Sequence, residues 1–276
     1  MGEETRSVQQ LVEALQDRAE RVVVGQGENL QHMLLALICG GHILLEGVPG
    51  TAKTLMARTL ARLLKIDCKR VQFTPDLMPS DILGTNIFNM QHSRFEFRAG
   101  PVFTDLLVAD EINRTPPKTQ SALLEVMEEK TVTLDGVSHV LSELFTVVAT
   151  QNPIEYEGTY RLPEAQLDRF LLKLVVTHPP ADEEDRILKL YQGRAGLGHP
   201  LDILDRPPTA STMEPADSFA GVSRTDILRA RQEMATVTAK PEVCTYIGQI
   251  ARMTRQMDRV LMGASSRAAV HMLQAA

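Results

Sequence analysis

A glycine-rich segment, GVPGTAKT (47–54), constrains the fold of this chain more than any other sequence feature. It follows the short apolar run HILLE (42–46) and opens the helical pattern TLMARTLARLL, which begins at Thr54. A strand, a glycine turn and a helix in this order begin an α/β unit. The chain is therefore expected to contain a strand whose C-terminal end passes directly into a helix.

Further apolar runs predict a sheet around this unit. They are short and apolar throughout, as expected of parallel strands buried on both faces, and they lie at 70–73, 106–109, 144–149 and 171–176. The segment 117–129 between them has a helical pattern. Five apolar runs separated by helices or loops predict a doubly wound α/β domain.

Two inserted segments have the pattern of β-hairpins. NIFNMQHSRFEF (86–97) alternates around a polar centre. KTVTLDGVSHVL (130–141) contains Asp135-Gly136, the strongest short hairpin signal.

The character of the sequence changes near Pro179-Pro180, where we place a domain boundary. Helical patterns flank the sheet region at 7–24, 28–39, 181–192, 223–236, 241–256 and 265–276, with a loose Gly/Pro-rich stretch at 193–221. Residues 1–178 are therefore predicted to form an αβα core, and residues 179–276 a small helical unit.

Composition restricts the cellular compartment of the protein and the classes of partner that it can bind. Three widely spaced cysteines without a CxxC pair favour a reducing compartment. The polar N-terminus is not followed by an apolar signal region, and no apolar stretch reaches the roughly 18 residues of a membrane span. The net charge of −6 argues against a general nucleic-acid binder. We expect a cytoplasmic protein.

The glycine-rich segment has the chemistry of a phosphate-binding loop. Small residues let backbone N–H groups turn inward around phosphates, and the helix N-terminus adds positive potential. Lys53 is then expected to reach the β- and γ-phosphates, and the Thr54 hydroxyl to bind Mg²⁺. Ala52 stands where a glycine usually precedes the lysine. An ordinary glycine turn before a helix is the alternative.

The run LLVADE (106–111) ends in two carboxylates. In open α/β sheets the carboxyl end of a strand faces the ligand crevice. Asp110 is predicted to hold the metal through its water, and Glu111 to accept the proton of an attacking water. The alternative is a solvated strand end, which is less plausible when both motifs occur in this order.

These motifs and four further segments together resemble the MoxR family of AAA+ ATPases. The other segments are FRAGPVF (97–103), the block DEINRTPPKTQSALLEVMEE (110–129) with ATQNP (149–153), and LPEAQLDRF (162–170). The resemblance runs from about residue 20 to the end. It implies a P-loop AAA+ core with a small all-helical lid, a homo-oligomeric ring expected to be a hexamer, and Mg²⁺-dependent ATP hydrolysis that remodels partner proteins. The two hairpins match insertions of the branch shared with magnesium chelatase and replicative helicases.

The resemblance also gives roles to residues outside the two motifs. Asn152 matches the sensor that orients the attacking water, and Arg169 the arginine finger that reaches the neighbouring subunit's γ-phosphate. Arg267 matches the second sensor of the lid, which contacts phosphates in the same subunit. Val24 and Gly25 lie in a segment similar to the one that packs on adenine.

The complete predicted site has three groups of residues. The catalytic group is Glu111, Asn152, Arg169 and Arg267. The metal ligands are Thr54 and Asp110. The ATP-binding group is Val24, Gly25, Gly47, Val48, Pro49, Gly50, Thr51, Ala52, Lys53, Thr54 and Leu55.

Considered singly, the added residues have plainer interpretations. Asn152 also suits a turn before Pro153. An isolated Arg169 suits an ion pair with Asp168 or Glu164. Arg267 also suits a helix surface.

The sequence departs from the family pattern at Ala52, at Arg161 and at Ser266, the last two standing where the family commonly has proline. Ala52 raises a question about loop flexibility and nucleotide affinity. The chain stops shortly after Arg267, so the lid is expected to be incomplete at its C-terminus.

Three other functions stay open at this point. One is a nucleotide-gated scaffold, which intact Glu111, Asn152 and Arg169 disfavour. Another is a magnesium-chelatase-like subunit, which nothing in the sequence separates from a general chaperone. The last is a nucleic-acid translocase, which the hairpin tips disfavour because they are poor in Lys and Arg. Clients with von Willebrand factor A domains are suggested by family analogy alone.

Overall fold

The computed structural model describes residues 8–154, 159–192, 201 and 222–276. Its strands are β1 (Ile43–Glu46), β2 (Cys68–Gln72), β3 (Gly84–Asn89), β4 (Arg94–Ala99), β5 (Leu106–Asp110), β6 (Thr131–Leu134), β7 (Val137–Val140), β8 (Thr146–Gln151) and β9 (Leu172–Val175). Its helices are α1 (Val8–Ala19), α2 (Gly27–Ile38), α3 (Lys53–Leu63), α4 (Pro79–Leu83), α5 (Pro117–Glu129), α6 (Glu164–Leu167), α7 (Ala181–Tyr191), α8 (Arg224–Thr236), α9 (Pro241–Thr254) and α10 (Ser266–Ala275).

Five parallel strands form the central sheet in the order β2-β5-β8-β1-β9. This confirms the predicted parallel α/β sheet with flanking helices. The strand predicted at 70–73 begins earlier, because Cys68 and Lys69 pair in register with Leu106 and Leu107. The first helix ends at Ala19 instead of continuing to residue 24. The stretch 193–221 lies, apart from Leu201, outside the described residues.

Two apolar clusters cover the two faces of the sheet. Successive side chains of a strand point to opposite faces. In β1, Ile43 and Leu45 accordingly join the cluster that contains α1, α2 and α3, while Leu44 joins the cluster that contains α5. β5 and β8 divide their side chains in the same way. Burial on both faces explains why these strands are apolar throughout.

Helix α8 packs on the core although it follows the predicted domain boundary. Ile227 and Ala230 are buried in the same cluster as α2 and the sheet. The Arg231 guanidinium donates to the Leu37 carbonyl oxygen from Nε at 3.1 Å and from Nη2 at 2.7 Å. Helices α9 and α10 pack against each other. The division into 1–178 and 179–276 stays a prediction. Within the predicted helical unit, α8 packs against the core.

Both predicted hairpins are confirmed. β3 pairs with β4, and β6 with β7, each antiparallel. Asp135 and Gly136 have φ of 49° and 79°, the left-handed conformation that a tight two-residue hairpin turn needs. The Asn86 amide donates to the Asp135 carboxylate at 2.5 Å, which joins the two hairpins. In the described part of the chain, no helix is both long and apolar enough to cross a membrane.

His42 connects the start of β1 to strand β8 of the same sheet and to helix α5. Its Nδ1 accepts a hydrogen bond from the Val147 backbone N–H at 3.0 Å, so Nε2 carries the proton and donates to the Met127 carbonyl oxygen at 3.0 Å. Complete burial lowers the pKa of His42 from 6.5 to about 4. Protonation at Nδ1 would remove the bond to Val147 and place a charge in the core.

The low pKa of His42 predicts a specific loss of stability in mild acid. Because the pKa is lower in the folded than in the unfolded chain, the contribution is complete above pH 6.5 and is lost as the pH falls towards 4. Between pH 7 and 5 the free energy of unfolding should fall by about 2 kcal/mol more in the parent than in His42→Gln, measured by urea titration. Equal pH dependence in the two proteins would contradict this.

Candidate functional site

The glycine-rich segment forms a tight loop between β1 and α3. A Cβ on Gly47 would lie 2.3 Å from the Val176 carbonyl oxygen, so only glycine fits there. Gly50 has a φ of 85°, in the left-handed region. The Thr51 hydroxyl donates to the Val48 carbonyl oxygen at 2.9 Å across the loop. Exposed Pro49 and Gly50 form its tip, so the backbone at the tip is open to a ligand.

Ala52 is the residue before α3 and has left-handed backbone angles, φ 61° and ψ 20°. Alanine therefore adopts at this position the left-handed conformation that the usual glycine of the motif would take without strain. For an L-residue this costs about 1–2 kcal/mol. The loop keeps its shape with Ala52, but the shape is strained.

Lys53 begins α3, and its ammonium folds back over the loop. Nζ donates to the carbonyl oxygens of Gly47 at 2.5 Å and Val48 at 2.7 Å. The positive charge thus lies inside the loop that the motif predicts for phosphates. Thr54 and Leu55 follow in the first turn, with Leu55 packed against the core.

Thr54 and Asp110 meet although they lie on different elements. The Thr54 hydroxyl donates to Asp110 Oδ2 at 3.0 Å. The same oxygen accepts from Arg70 Nε at 3.0 Å and from Nη2 at 2.7 Å. Oδ1 accepts from the Thr150 hydroxyl at 2.6 Å. Asp110 is only 7% exposed, so its charge depends on these partners.

Glu111 directly follows β5 in a strained conformation, with φ 58° and ψ 50°. Its backbone N–H donates to the Thr150 hydroxyl at 2.9 Å. Its carboxylate Oε2 accepts from Gln72 Nε2 at 2.7 Å and from Arg114 Nη1 at 3.0 Å. The surrounding contacts therefore fix both the backbone and the carboxylate of Glu111.

Sequence reasoning missed Arg70, Gln72 and Thr150. Strand register brings these residues to the site, because Gln72 pairs with Asp110 and β5 pairs with β8. No spacing within the sequence reveals these neighbours, because Arg70 and Thr150 each lie 40 residues from Asp110 along the chain.

Asn152 follows β8 and lies buried beside the turn after Glu111. Its Oδ1 accepts from the Ile154 backbone N–H at 3.2 Å, a local turn contact. Its carbonyl oxygen accepts from the Asn113 side chain at 3.2 Å. Asn152 therefore makes the local turn contact, with Ile154, and also lies next to Asn113 in the turn that follows Glu111.

Val24 and Gly25 lie between the core and α7. Val24 is buried, and Gly25 has a φ of 76°. A Cβ on Gly25 would lie 1.9 Å from the Glu183 carboxylate. Next to them, Gln26 Nε2 donates to the Thr177 carbonyl oxygen at 3.2 Å. The adenine contact of this segment stays a prediction.

Arg169 and Arg267 lie together, but not in the glycine-rich loop. Arg169 Nη1 pairs with Glu128 Oε2 at 2.7 Å and donates to the Leu124 carbonyl oxygen at 2.6 Å. Arg267 Nη2 pairs with Oε1 of the same Glu128. The plainer alternative for Arg169, an ion pair, is present, but the partner is Glu128 and not Asp168 or Glu164. The role of Arg169 as an arginine finger stays a prediction.

Both arginines line a cavity of about 540 Å³ that reaches His42. His42 precedes β1, whereas the glycine-rich loop follows it, so the two lie at opposite ends of the strand. In this structure Arg267 pairs with Glu128 beside Arg169, and its contact with phosphates of its own subunit stays a prediction.

Comparison with known proteins places this geometry in a class. Residues 42–172 match the ATPase family associated with various cellular activities (AAA). A crystal structure of a candidate ATPase from Cytophaga hutchinsonii superimposes with a TM-score of 0.78 at 40% identity, over 95% of this chain and 77% of the other. Fold and site define a P-loop ATPase of the AAA class.

Two curated relatives narrow the class. YeaC of Bacillus subtilis is 45% identical over 94% of this chain and 76% of its own length. Chaperone MoxR1 of Mycobacterium tuberculosis is 41% identical over 93% of this chain and 65% of its own length. The chain belongs to the MoxR family of AAA+ ATPases.

The strain at Ala52 predicts that the same substitution, alanine to glycine, changes the free energy of unfolding in opposite directions at Ala52 and at Ala57. Ala52→Gly should raise the free energy of unfolding by up to about 1 kcal/mol, because relief of the left-handed strain exceeds the entropy gained by the unfolded chain. Ala57→Gly, in the helical interior of α3, should lower it by about 1 kcal/mol or more. Denaturant titration measures both. If Ala52→Gly destabilises as much as Ala57→Gly, the conformation at Ala52 is not strained.

Proposed function

We propose that this chain hydrolyses ATP in a Mg²⁺-dependent reaction and uses the reaction to remodel partner proteins. The observation that carries the proposal is the meeting of Thr54 and Asp110 beside the Lys53 loop, with Glu111 next along the chain. These groups supply phosphate binding, metal binding and a general base within one crevice.

The residues of the loop fit the phosphates of a nucleotide. The absence of a side chain at exposed Gly50 keeps the backbone at the tip accessible, and the N-terminus of α3 adds positive potential. Lys53 holds its ammonium on two carbonyl oxygens, weaker partners than an anionic phosphate. The ammonium is therefore ready to exchange these carbonyls for the β- and γ-phosphates.

The Thr54 hydroxyl and the Asp110 carboxylate are hard oxygen ligands of the type that Mg²⁺ prefers. When bound, Mg²⁺ neutralises charge on the transferring phosphoryl group. Arg70 contacts the Asp110 oxygen that faces Thr54, so it must release this oxygen or share it. Glu111 accepts the proton of the attacking water, and Asn152 orients that water.

Activity is proposed to need a second copy of the chain. Arg169 lies in the cavity at the end of β1 opposite the loop, so it suits the nucleotide of a neighbouring protomer better than its own. We infer a ring, expected to be hexameric, working in the cytoplasm. The relative MoxR1 is named a chaperone, which supports protein clients, and clients with von Willebrand factor A domains are one class to test.

Glu111→Gln should separate binding from turnover. The amide keeps the shape of the side chain and the metal site but cannot take the proton, so turnover should fall at least about a hundredfold. Binding of ATP·Mg²⁺, measured by calorimetry, should stay close to that of the parent. Glu125→Gln on the exposed side of α5 is a matched control and should keep parental turnover. Equal loss of binding and turnover would make Glu111 a structural residue, and parental turnover in Glu111→Gln would show that Glu111 is not the general base. Negligible turnover by the assembled parent would favour a nucleotide-gated scaffold.

Mixing two variants tests the action of Arg169 on a neighbour. Arg169→Ala keeps an intact loop, and Lys53→Ala keeps an intact arginine. An arginine supplied by a neighbour is worth on the order of 10³–10⁵ in rate, so each variant alone should be nearly inactive. Their mixture should hydrolyse ATP faster than either one. Co-assembly without recovered activity, with assembly measured by light scattering, would exclude this role for Arg169.

A further inference from the structure

Glu128 holds two arginines that come from distant parts of the chain. Its carboxylate lies near the end of α5, with Oε2 2.7 Å from Arg169 Nη1 and Oε1 paired with Arg267 Nη2. Arg169 follows α6 in the core, and Arg267 opens α10. One carboxylate therefore joins the helical C-terminal part to the core through two ion pairs.

The cavity around this carboxylate is positively charged. The described residues that line it include the cations Arg169, Arg267, Lys130 and Arg231, against the single carboxylate of Glu128. Arg231 uses its guanidinium on the carbonyl oxygens of Leu37 and Glu143. Arg169 and Arg267 instead share the movable Glu128 carboxylate as their counter-ion, in surroundings that favour an anion. Arg169 Nη1 also keeps a hydrogen bond to the Leu124 carbonyl oxygen.

Solvent exposure makes this contact exchangeable. The side chains of Arg169, Arg267 and Glu128 are 28%, 41% and 39% exposed. Ion pairs with this access to water are weak, and separating them does not strand a buried charge. A phosphate group carries more charge than a carboxylate and offers more acceptor oxygens, so it can replace Glu128 on both guanidiniums.

We propose that Glu128 is an intramolecular counter-ion that holds Arg169 and Arg267 as a pair in the free protomer and yields both to the terminal phosphate of a nucleotide bound by a neighbouring copy. This inference rests on the proposed action of Arg169 on a neighbour. Glu128 is a positioning residue that acts through the arginines. It restrains hydrolysis, because each docking event must first break its two ion pairs.

Glu128 acts in the protomer that donates the arginines, so the test places the Glu128 substitution in that protomer. In the mixture of Lys53→Ala donors with Arg169→Ala recipients, hydrolysis takes place only in the recipient. Adding Glu128→Gln to the donor should raise the kcat of the mixture about three- to tenfold, the scale of losing two exposed ion pairs. The KM for ATP should stay that of the recipient, because the recipient's loop is unchanged. Glu128→Ala in the donor should act in the same direction.

Two comparisons make the result specific. Glu129→Gln in the donor makes the same charge change one residue along α5, where the structure gives no contact with either arginine, and it should leave the kcat of the mixture unchanged. The rise should also be larger with Glu128→Gln in the donor than in the recipient. Thermal melting checks that each donor is folded.

The outcomes separate the two levels of the proposal. No activity in the unmodified mixture of co-assembled variants overturns the action of Arg169 on a neighbour and the role of Glu128 together. Activity in that mixture with no rise, or with a fall, on adding Glu128→Gln to a folded donor overturns the role of Glu128 alone. An equal rise with Glu129→Gln would reduce the effect to general surface charge, which also overturns it.

Discussion

The parallel pairing of β5, β8 and β1 is the constraint on which the rest of the molecule depends. Each of these strands is buried on both faces, so its backbone groups must be satisfied by neighbouring strands. Because parallel strands run in one direction, their carboxyl ends meet at one edge of the sheet, where ligands bind in folds of this type. The loop after β1, the carboxylates at the end of β5 and Asn152 after β8 therefore lie along the same edge of the sheet. Arg169 precedes β9 and therefore lies at the opposite edge, where Arg267 of α10 joins it in the cavity that reaches His42.

Charged groups of the site already have partners within the protomer. Lys53 lies on carbonyl oxygens of its own loop, and Asp110 accepts from Arg70. Glu111 accepts from Gln72 and Arg114, and Glu128 holds the two arginines. Binding of nucleotide would therefore exchange partners without first creating bare charges, which lowers the desolvation penalty of each step. The strength of each intramolecular contact then determines how readily that charged group is released to the nucleotide.

Two of the six described non-glycine residues with a positive φ lie at the predicted site. Ala52 and Glu111 are both non-glycine residues in the left-handed region, one in the glycine-rich loop and one at the end of β5. Such conformations persist only where the surrounding contacts determine them. For Glu111 these contacts include the bonds to Thr150 and Gln72. For Ala52 the constraint is its position between the loop and the first turn of α3.

The sequence by itself determined the local units and the chemistry of the main motifs. The apolar runs gave the buried strands, Asp135-Gly136 gave a hairpin turn, and GVPGTAKT with LLVADE gave the loop and the carboxylates, because each signal lies within a few consecutive residues. Only the tertiary structure decided which residues surround them. Arg70 and Thr150 reach Asp110 through strand register, α8 packs on the core beyond the predicted boundary, and Arg267 pairs with Glu128 instead of joining the loop. The physical reason is that register and helix packing are set by contacts between segments far apart in the chain, and no local pattern encodes them.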